Sequence, residues 1–318
     1  MYYVGIDLGG TNIAVGVCNE QYEIIATASA KTNCPRPCEE ICADMVKVTE
    51  EAVAKAGLTM DQIASIGIGA PGAINPDTKT VEFANNLGFK FAPVGEIMER
   101  LTGKEIYIEN DANAAAYGEA VAGAAKGTRN SVTITLGTGV GGGVIIDGKV
   151  FSGFNHFGTE LGHTVIVRGG RHCSCGRDGC WEAYASASAL IYQTKIAMVD
   201  HPESVMWALV DSDINRVSGR TAFDAMRKGD EAGTQVVDQY IGYVACGVAN
   251  MINIFQPEVL CIGGGISREG ERLLAPIRKE VEDTTYGRYS TKQPKIVAAQ
   301  LGNDAGIIGA AFLGLSMK

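Results

Sequence analysis

Five glycines fall within the thirteen residues ITLGTGVGGGVII, Ile134–Ile146, with β-branched residues on both sides. Glycine weakens a regular strand, so a run like this needs a local reason. One reason is a bulge or tight turn. The other is the close approach of a ligand to the backbone, and phosphate suits such a place. A second stretch, VGIDLGGTNIAVGV from Val4, lies well on VTITLGTGVGGGVI from Val132: Asp7 falls on Thr135, Leu8 on Leu136 and Gly9 on Gly137. Both read as strand, small glycine turn, strand. A repeat this distant in the chain points to duplicated domains rather than a solenoid. Two such turns facing each other would hold one phosphate chain from both sides.

Two other glycine readings fail on context. GIGAPG (Gly67–Gly72) and GTGVGG (Gly137–Gly142) both satisfy G-x-G-x-x-G. The dinucleotide fingerprint needs a helix directly after the glycines, yet the first runs into the turn-forming AINPDTKT and the second into β-branched VII. No G-x-x-x-x-G-K-[ST] phosphate loop occurs.

The remaining periodicities give a mixed α/β chain with antiparallel hairpins. Strands are expected over Val4–Leu8, Ile13–Val17, Glu23–Thr27, ASIGIGAPG, Ile106–Glu109, Val132–Leu136, Gly143–Ile146 and Val259–Ile262, with a last one near Ile296. Helices are expected over Glu39–Ala56, capped by Gly57, through the alanine-rich NDANAAAYGEAVAGAAKG, and over Tyr184–Val199, Gln235–Phe255 and NDAGIIGAAFLGL.

With 318 residues, 46% of them hydrophobic, the chain has enough apolar mass for one large or two medium domains. Its net charge of -9 argues against nucleic-acid and anionic-membrane binding. No apolar stretch reaches the ~20 residues of a membrane span. The opening MYYVGIDLGG reads as a strand rather than a secretion signal, so a cytoplasmic setting is expected and the nine cysteines read as thiols or metal ligands.

Cys173, Cys175 and Cys180 fall within eight residues, separated by glycines that permit tight chelating loops. Three thiolates and one imidazole suit tetrahedral Zn²⁺, and a completed S₃N set leaves a structural rather than catalytic ion. His163 and His172 compete for the fourth place. His172 abuts Cys173, and adjacent residues rarely both aim at one ion. Cys34, Cys38 and Cys42 read as incidental, with the latter two on a helix face.

Asp111 follows the strand IYIE and opens a helix. A carboxylate at a strand's C-terminal end stands where α/β folds bind ligands. Asn110 beside it is able to cap the helix, leaving Asp111 for chemistry.

The segments DLGGTN, ENDANAAAYGE, LGTGVGGGVI, GTELGH, CSCGRDGCWE and CIGGGI, in order along the whole chain, resemble the ROK family of sugar kinases within the actin–hexokinase superfamily. C-x-C-G-x-x-G-C-x-E is the most specific and is similar to that of the bacterial ROK glucokinases. The resemblance implies two actin-like (ribonuclease H-like) α/β lobes with mixed sheets around a central cleft. The first covers 1–118, with the final helix 304–318 packing back onto it, and the second covers 119–303 and holds the zinc motif. It implies an ATP-dependent kinase acting on the 6-hydroxyl of a hexose, glucose first, with N-acetylhexosamines, fructose, allose and mannose as alternatives and polyphosphate as an alternative donor. It also implies assembly as a homodimer or homotetramer.

By the same resemblance, Gly137, Thr138 and Gly139 lie along the nucleotide phosphates, with Gly9, Gly10, Thr11 and Asn12 doing the same from the other lobe. Asp7 partners Mg²⁺ through water, as befits an ion that keeps its hydration shell. Gly264 and Gly265 lie beside adenine and ribose. Asp111 is the base that takes the sugar hydroxyl's proton. The sugar contacts are Gly72, Asn86, Asn110, Asp111, Glu160, His163 and Glu182, with Asn85 and Asn86 both eligible for the second place. His163 is also the family's fourth zinc ligand. ROK transcriptional repressors carry a helix-turn-helix domain before the first kinase strand, and here that strand begins at Tyr2. Intact Asp7, Asp111 and glycine turns argue against a catalytically dead sugar binder.

Overall fold

Alternation along the first strand sorts its residues onto two faces. Val4, Ile6 and Leu8 are fully buried on one, and Tyr3, Gly5 and Asp7 alternate onto the other. In the computed structural model, which describes residues 1–317, this strand is the centre of a mixed sheet. The chain opens with β1 (Tyr2–Leu8), β2 (Asn12–Asn19) and β3 (Ile24–Lys31), then α1 (Cys38–Lys55), β4 (Ile63–Ala70), β5 (Ala73–Asn75), β6 (Thr80–Ala84), β7 (Phe89–Ala92), α2 (Val94–Thr102), β8 (Glu105–Asn110) and α3 (Asp111–Val121). It continues with β9 (Ser131–Leu136), β10 (Val140–Ile146), β11 (Lys149–Val150), α4 (Glu182–Ala185), α5 (Ala187–Asp200), α6 (Met206–Leu209), α7 (Thr221–Arg227), α8 (Glu231–Phe255), β12 (Val259–Gly263), α9 (Glu271–Thr284), β13 (Lys295–Ala298), α10 (Asp304–Ala311) and α11 (Leu313–Ser316).

The chain divides into two compact units. One comprises Met1–Thr133, Gly143–Thr159 and the segment from Ala299 onward; the other comprises Ile134–Gly142 and Glu160–Ala298. In the first, the strands run in the order β3-β2-β1-β4-β8, antiparallel from β3 to β1 and parallel from β1 to β8. The Val4–Leu8 face joins Ile41, Met45, Val48 and Ala52 of α1 in one apolar core. The opposite face is lined by glycine for a reason visible in the register. Gly5 pairs with Gly67, and a Cβ on either would sit under 2 Å from a backbone oxygen of α10, Ile307 or Ala310. Helix α10 therefore lies directly on the sheet backbone, and the glycines of GIGAPG serve packing rather than a dinucleotide. Of the expected 304–318 helix, Lys318 lies outside the described residues; the rest is α10 and the short α11.

A small sheet β5-β6-β7 completes this unit, where the sequence had offered only turn chemistry at AINPDTKT. The second large sheet has the order β11-β10-β9-β12-β13, with β12 and β13 parallel. The second unit is otherwise helical around α8.

Two expected helices end differently. The alanine-rich helix stops at Val121 rather than running through AGAAKG. The Glu119 carboxylate turns back to accept the amides of Ala124 at 2.8 Å and Leu301 at 2.8 Å, and so draws the chain out of the helix. The helix expected over Tyr184–Val199 is broken at Ser186, which is extended and caps α5 by accepting the Ala189 amide at 3.0 Å. Cys38 and Cys42 share the α1 face as expected, with their sulfurs 3.8 Å apart.

Candidate functional site

In the first unit the candidate residues gather at the C-terminal ends of β1 and β8. The β1–β2 hairpin closes with the Gly9 amide on Asn12 O at 2.9 Å. Thr32, just past the end of β3, steadies it, its hydroxyl reaching Gly9 O at 2.6 Å and its amide Thr11 O at 3.0 Å. A cavity of ≈ 740 Å³ opens here, lined by Asp7, Gly9, Gly10, Thr11 and Asn12 and, from α10, by Asp304. Gly10 lies against Asn86, whose Cβ is 3.1 Å from where a Gly10 side chain would begin.

Asp111 is the first residue of α3. Asn110 caps the helix, accepting the amides of Ala112 at 2.9 Å and Asn113 at 3.3 Å, and donates its own amide to Gly72 O at 3.1 Å. Gly72 sits at φ +94, and a Cβ there would lie 2.1 Å from Phe83 O, so no other residue fits. The Asp111 carboxylate takes the Ala112 amide at 2.8 Å. Burial pushes its pKa up, opposed by these amide hydrogen bonds. Asp7 is pushed up to about 6, by burial first and then by the Asp111 charge.

In the second unit the glycine turn is again a hairpin, with the Gly137 amide on Gly139 O at 3.0 Å. Its carbonyls are held from the start of α5: Ala187 N binds Gly137 O at 2.8 Å and Ser188 Oγ binds Thr138 O at 2.8 Å. The glycines of this region have separate causes. A Cβ on Gly137 or Gly265 would meet nothing within 4 Å, whereas one on Gly139 would fall 2.3 Å from Glu182 Oε2. Gly264, at φ +86, is pressed onto the Leu136 backbone.

Glu182 links this turn to the cysteine cluster. Its Oε2 accepts the Val140 amide at 3.0 Å, and its Oε1 lies 3.4 Å from Ser174 Oγ and 3.7 Å from Cys173 Sγ. The ligand atoms of His163, Cys173, Cys175 and Cys180 all lie within 4.8 Å of one another. Cys175 and Cys180 sulfurs are 3.6 Å apart, and Cys173 Sγ is 3.6 Å from His163 Nδ1. Tetrahedral zinc with Zn–S bonds near ~2.3 Å places its sulfurs about 3.8 Å apart, so this donor set fits the ion. His172 instead bonds Asp178 at 2.9 Å and is exposed, which decides between the two histidines. Glu160 precedes the short 3₁₀ turn Leu161–His163, whose last amide returns to Glu160 O at 3.0 Å.

A family model described as ROK family matches residues 3–316. The chain belongs to the ROK family. Among ROK proteins, a glucokinase of Streptomyces coelicolor is 39% identical over 314 residues, spanning 98% of this chain and 96% of that one. A glucokinase of Thermotoga maritima is 36% identical over 315 residues, with 98% and 96% covered. The crystal structure of a ROK glucokinase from Streptomyces griseus, solved with glucose and AMPPNP, superposes with a TM-score of 0.80 at 36% identity, covering 98% of this chain and 99% of that one. The expected α/β, actin-like fold class is thus the one found. Among the described residues of this ROK chain, no helix is long and apolar enough to cross a membrane.

The sequence reading passed over some polar residues near Asp7 and Asp111. Asp304 shares the Asp7 cavity, and its signal was available: Asn303–Asp304–Ala305 repeats Asn110–Asp111–Ala112 at another helix start. Glu109, Asn113 and Thr159 had no such marker.

Proposed function

We propose that this chain transfers the γ-phosphoryl group of ATP to the 6-hydroxyl of a hexose, with glucose the preferred acceptor. The observation that carries the reading is Asp111: a half-buried carboxylate at the end of a parallel strand, on a helix whose capping is supplied by Asn110. An alcohol attacking a phosphoryl group needs a carboxylate to take its proton as the new bond forms. The raised pKa of Asp111 brings it nearer to the task than an exposed aspartate.

The glycine turns at Gly9–Asn12 and Gly137–Gly139 supply backbone amides to the phosphates, and Gly264–Gly265 borders the adenosine. Mg²⁺ would neutralise phosphate charge, and Asp7, a carboxylate in a roomy polar cavity that it shares with Asp304, fits a water-mediated partner for it. Gly72, Asn86, Asn110 and Asp111 in the first unit, and Glu160, His163 and Glu182 in the second, take the sugar hydroxyls. Zinc in the S₃N cluster would be structural, holding His163 by Nδ1 and leaving Nε2 for a hydroxyl. The enzyme works in the cytoplasm.

The test is a coupled ADP-release screen over glucose, mannose, fructose, allose, N-acetylglucosamine and N-acetylmannosamine, repeated with polyphosphate as donor. Glucose with ATP should give the highest kcat/KM. No sugar-dependent ADP release anywhere in the panel would overturn the reading.

A further inference from the structure

A carboxylate on a buried strand is costly unless it is hydrogen-bonded. Glu109 is 2% exposed on β8, between the fully buried Ile108 and the start of α3. Its Oε1 accepts two donors, the Asn110 amide at 2.8 Å and Asn113 Nδ2 at 3.1 Å. These donors bracket Asp111 in the chain, one before it and one in the first turn of the helix it opens. Asn113 is itself only 3% exposed, and its Oδ1 is 3.2 Å from the Thr159 hydroxyl, which also reaches Gly158 O at 2.6 Å. An ionised carboxylate only accepts, so Glu109 sets the amide with its NH₂ inward and its Oδ1 toward Thr159, whose single hydroxyl proton is shared between Oδ1 and Gly158 O. Thr159 makes these contacts from φ +64, a conformation β-branched residues rarely adopt.

We propose that Glu109 is a positioning residue for the phosphoryl transfer: through Asn110 and Asn113 it clamps the strand–helix junction and thereby sets the Asp111 carboxylate. The proposal rests on the hexokinase reading above. It gives a cause for two buried polar side chains, Glu109 and Asn113, and for the strained backbone of Thr159. It also makes the clamp depend on an acceptor oxygen at one point, not on a negative charge. Misplacing a reacting group by about 1 Å costs roughly 100-fold in rate.

Glu109→Gln retains an acceptor oxygen for both donors, and Glu109→Ala removes it. With sugar and ATP saturating, Glu109→Ala should lower kcat by about 10- to 100-fold while the sugar KM stays within about 3-fold. Glu109→Gln should recover kcat to within about 3-fold of wild type. A Gln variant as inactive as Asp111→Asn would overturn the proposal by giving Glu109 a chemical role, and an Ala variant with wild-type kcat would overturn it by giving Glu109 none. If the Ala variant does not fold, Thr159→Val and Thr159→Ser read the clamp from its other end. The Val variant should be slowed several-fold and the Ser variant should not; equal rates for Val and wild type would overturn the proposal. A wild-type chain inactive on every hexose sinks the kinase reading and this proposal together, whereas an active wild type with an unaffected Ala variant sinks this proposal alone.

Discussion

The acid-bearing region of the first unit and the cysteine cluster of the second are built in opposite ways. Asp7, Glu109 and Asp111 come from sheet ends whose neighbours, Ile6, Leu8, Ile66, Ile68 and Ile108, are fully buried. Their placement is a by-product of a core assembled from distant segments. Cys173, Cys175 and Cys180 come from one short loop, with Cys175 exposed and the loop held by local bonds such as Gly176 N to Cys173 O at 3.0 Å. The first region is held by the packing of that core. The second is a loop whose four clustered donors would owe their order to a bound ion. Damage to the acid region should therefore appear in catalysis with the fold intact, and damage to the cysteine region as local loosening.

The largest expected effect breaks the acid region. Asp111→Asn removes the proton acceptor but keeps the shape of the side chain, so kcat should fall by at least ~100-fold. Sugar binding, titrated without nucleotide, should weaken far less. Near-normal turnover would remove Asp111 from the mechanism. In the wild-type enzyme kcat should decline on the acid side, because a base must be ionised and burial has already raised this group's pKa.

The next effect separates two glycines of one turn. Gly137 has ordinary backbone torsions and open space where a Cβ would go, so Gly137→Val should fold normally. If that space belongs to phosphate, the ATP KM should rise about tenfold or more with sugar affinity unchanged. Gly139→Ala pushes on the Glu182 carboxylate, 2.3 Å from the new Cβ, and should raise the sugar KM instead. Unchanged ATP affinity in a well-folded Gly137→Val would reduce the turn to a plain hairpin.

Local signals made much of this legible. The strand–glycine–strand repeat, the zinc-type spacing and the Asn110–Asp111 cap are written in a few consecutive residues each. What escaped was set by distant partners. Nothing near Glu119 announces that it collects the Leu301 amide and ends a helix. Gly5 and Gly67 are explained only by α10, which arrives from the far end of the chain. The choice of His163 over His172 was legible from the adjacency of His172 to Cys173 and from the family resemblance, and the Asp178 bond shows where His172 goes instead. Glu109 looked like an ordinary strand residue until its burial was known.

A smaller effect tests the cysteine cluster. Purified protein should contain about one zinc per chain, since three thiolates and an imidazole complete one tetrahedral site. Cys175→Ser should lower the zinc content and raise the sugar KM several-fold, with less change in the ATP KM. Hydrogen exchange should accelerate between residues 160 and 182, while β1, β4 and β8 remain protected. Loss of protection throughout the chain would contradict the contrast drawn between the two regions. So would a zinc-free variant with wild-type sugar kinetics.

The smallest effect concerns Asp7 and is one of stability. Its folded pKa is pushed up to about 6 by burial and by Asp111, against 3.8 for an ordinary aspartate. The folded protein therefore binds the Asp7 proton more tightly than the unfolded chain does. Relative to the protonated state, ionised Asp7 costs stability above pH 6, and that cost vanishes below the unfolded value. Asp7→Asn removes the charge at every pH. In metal-free buffer its melting temperature should exceed that of wild type by a few degrees at pH 7–8, about the size expected for one or two kcal/mol in a chain of this length. The gap should shrink as pH falls from 6 and close near 4. Added Mg²⁺ should narrow the gap at neutral pH, because a cation near Asp7 favours its ionised form. An Asn variant no more stable than wild type at pH 8 would mean that Asp7 is better solvated than its half-buried position on the α10 face of β1 implies.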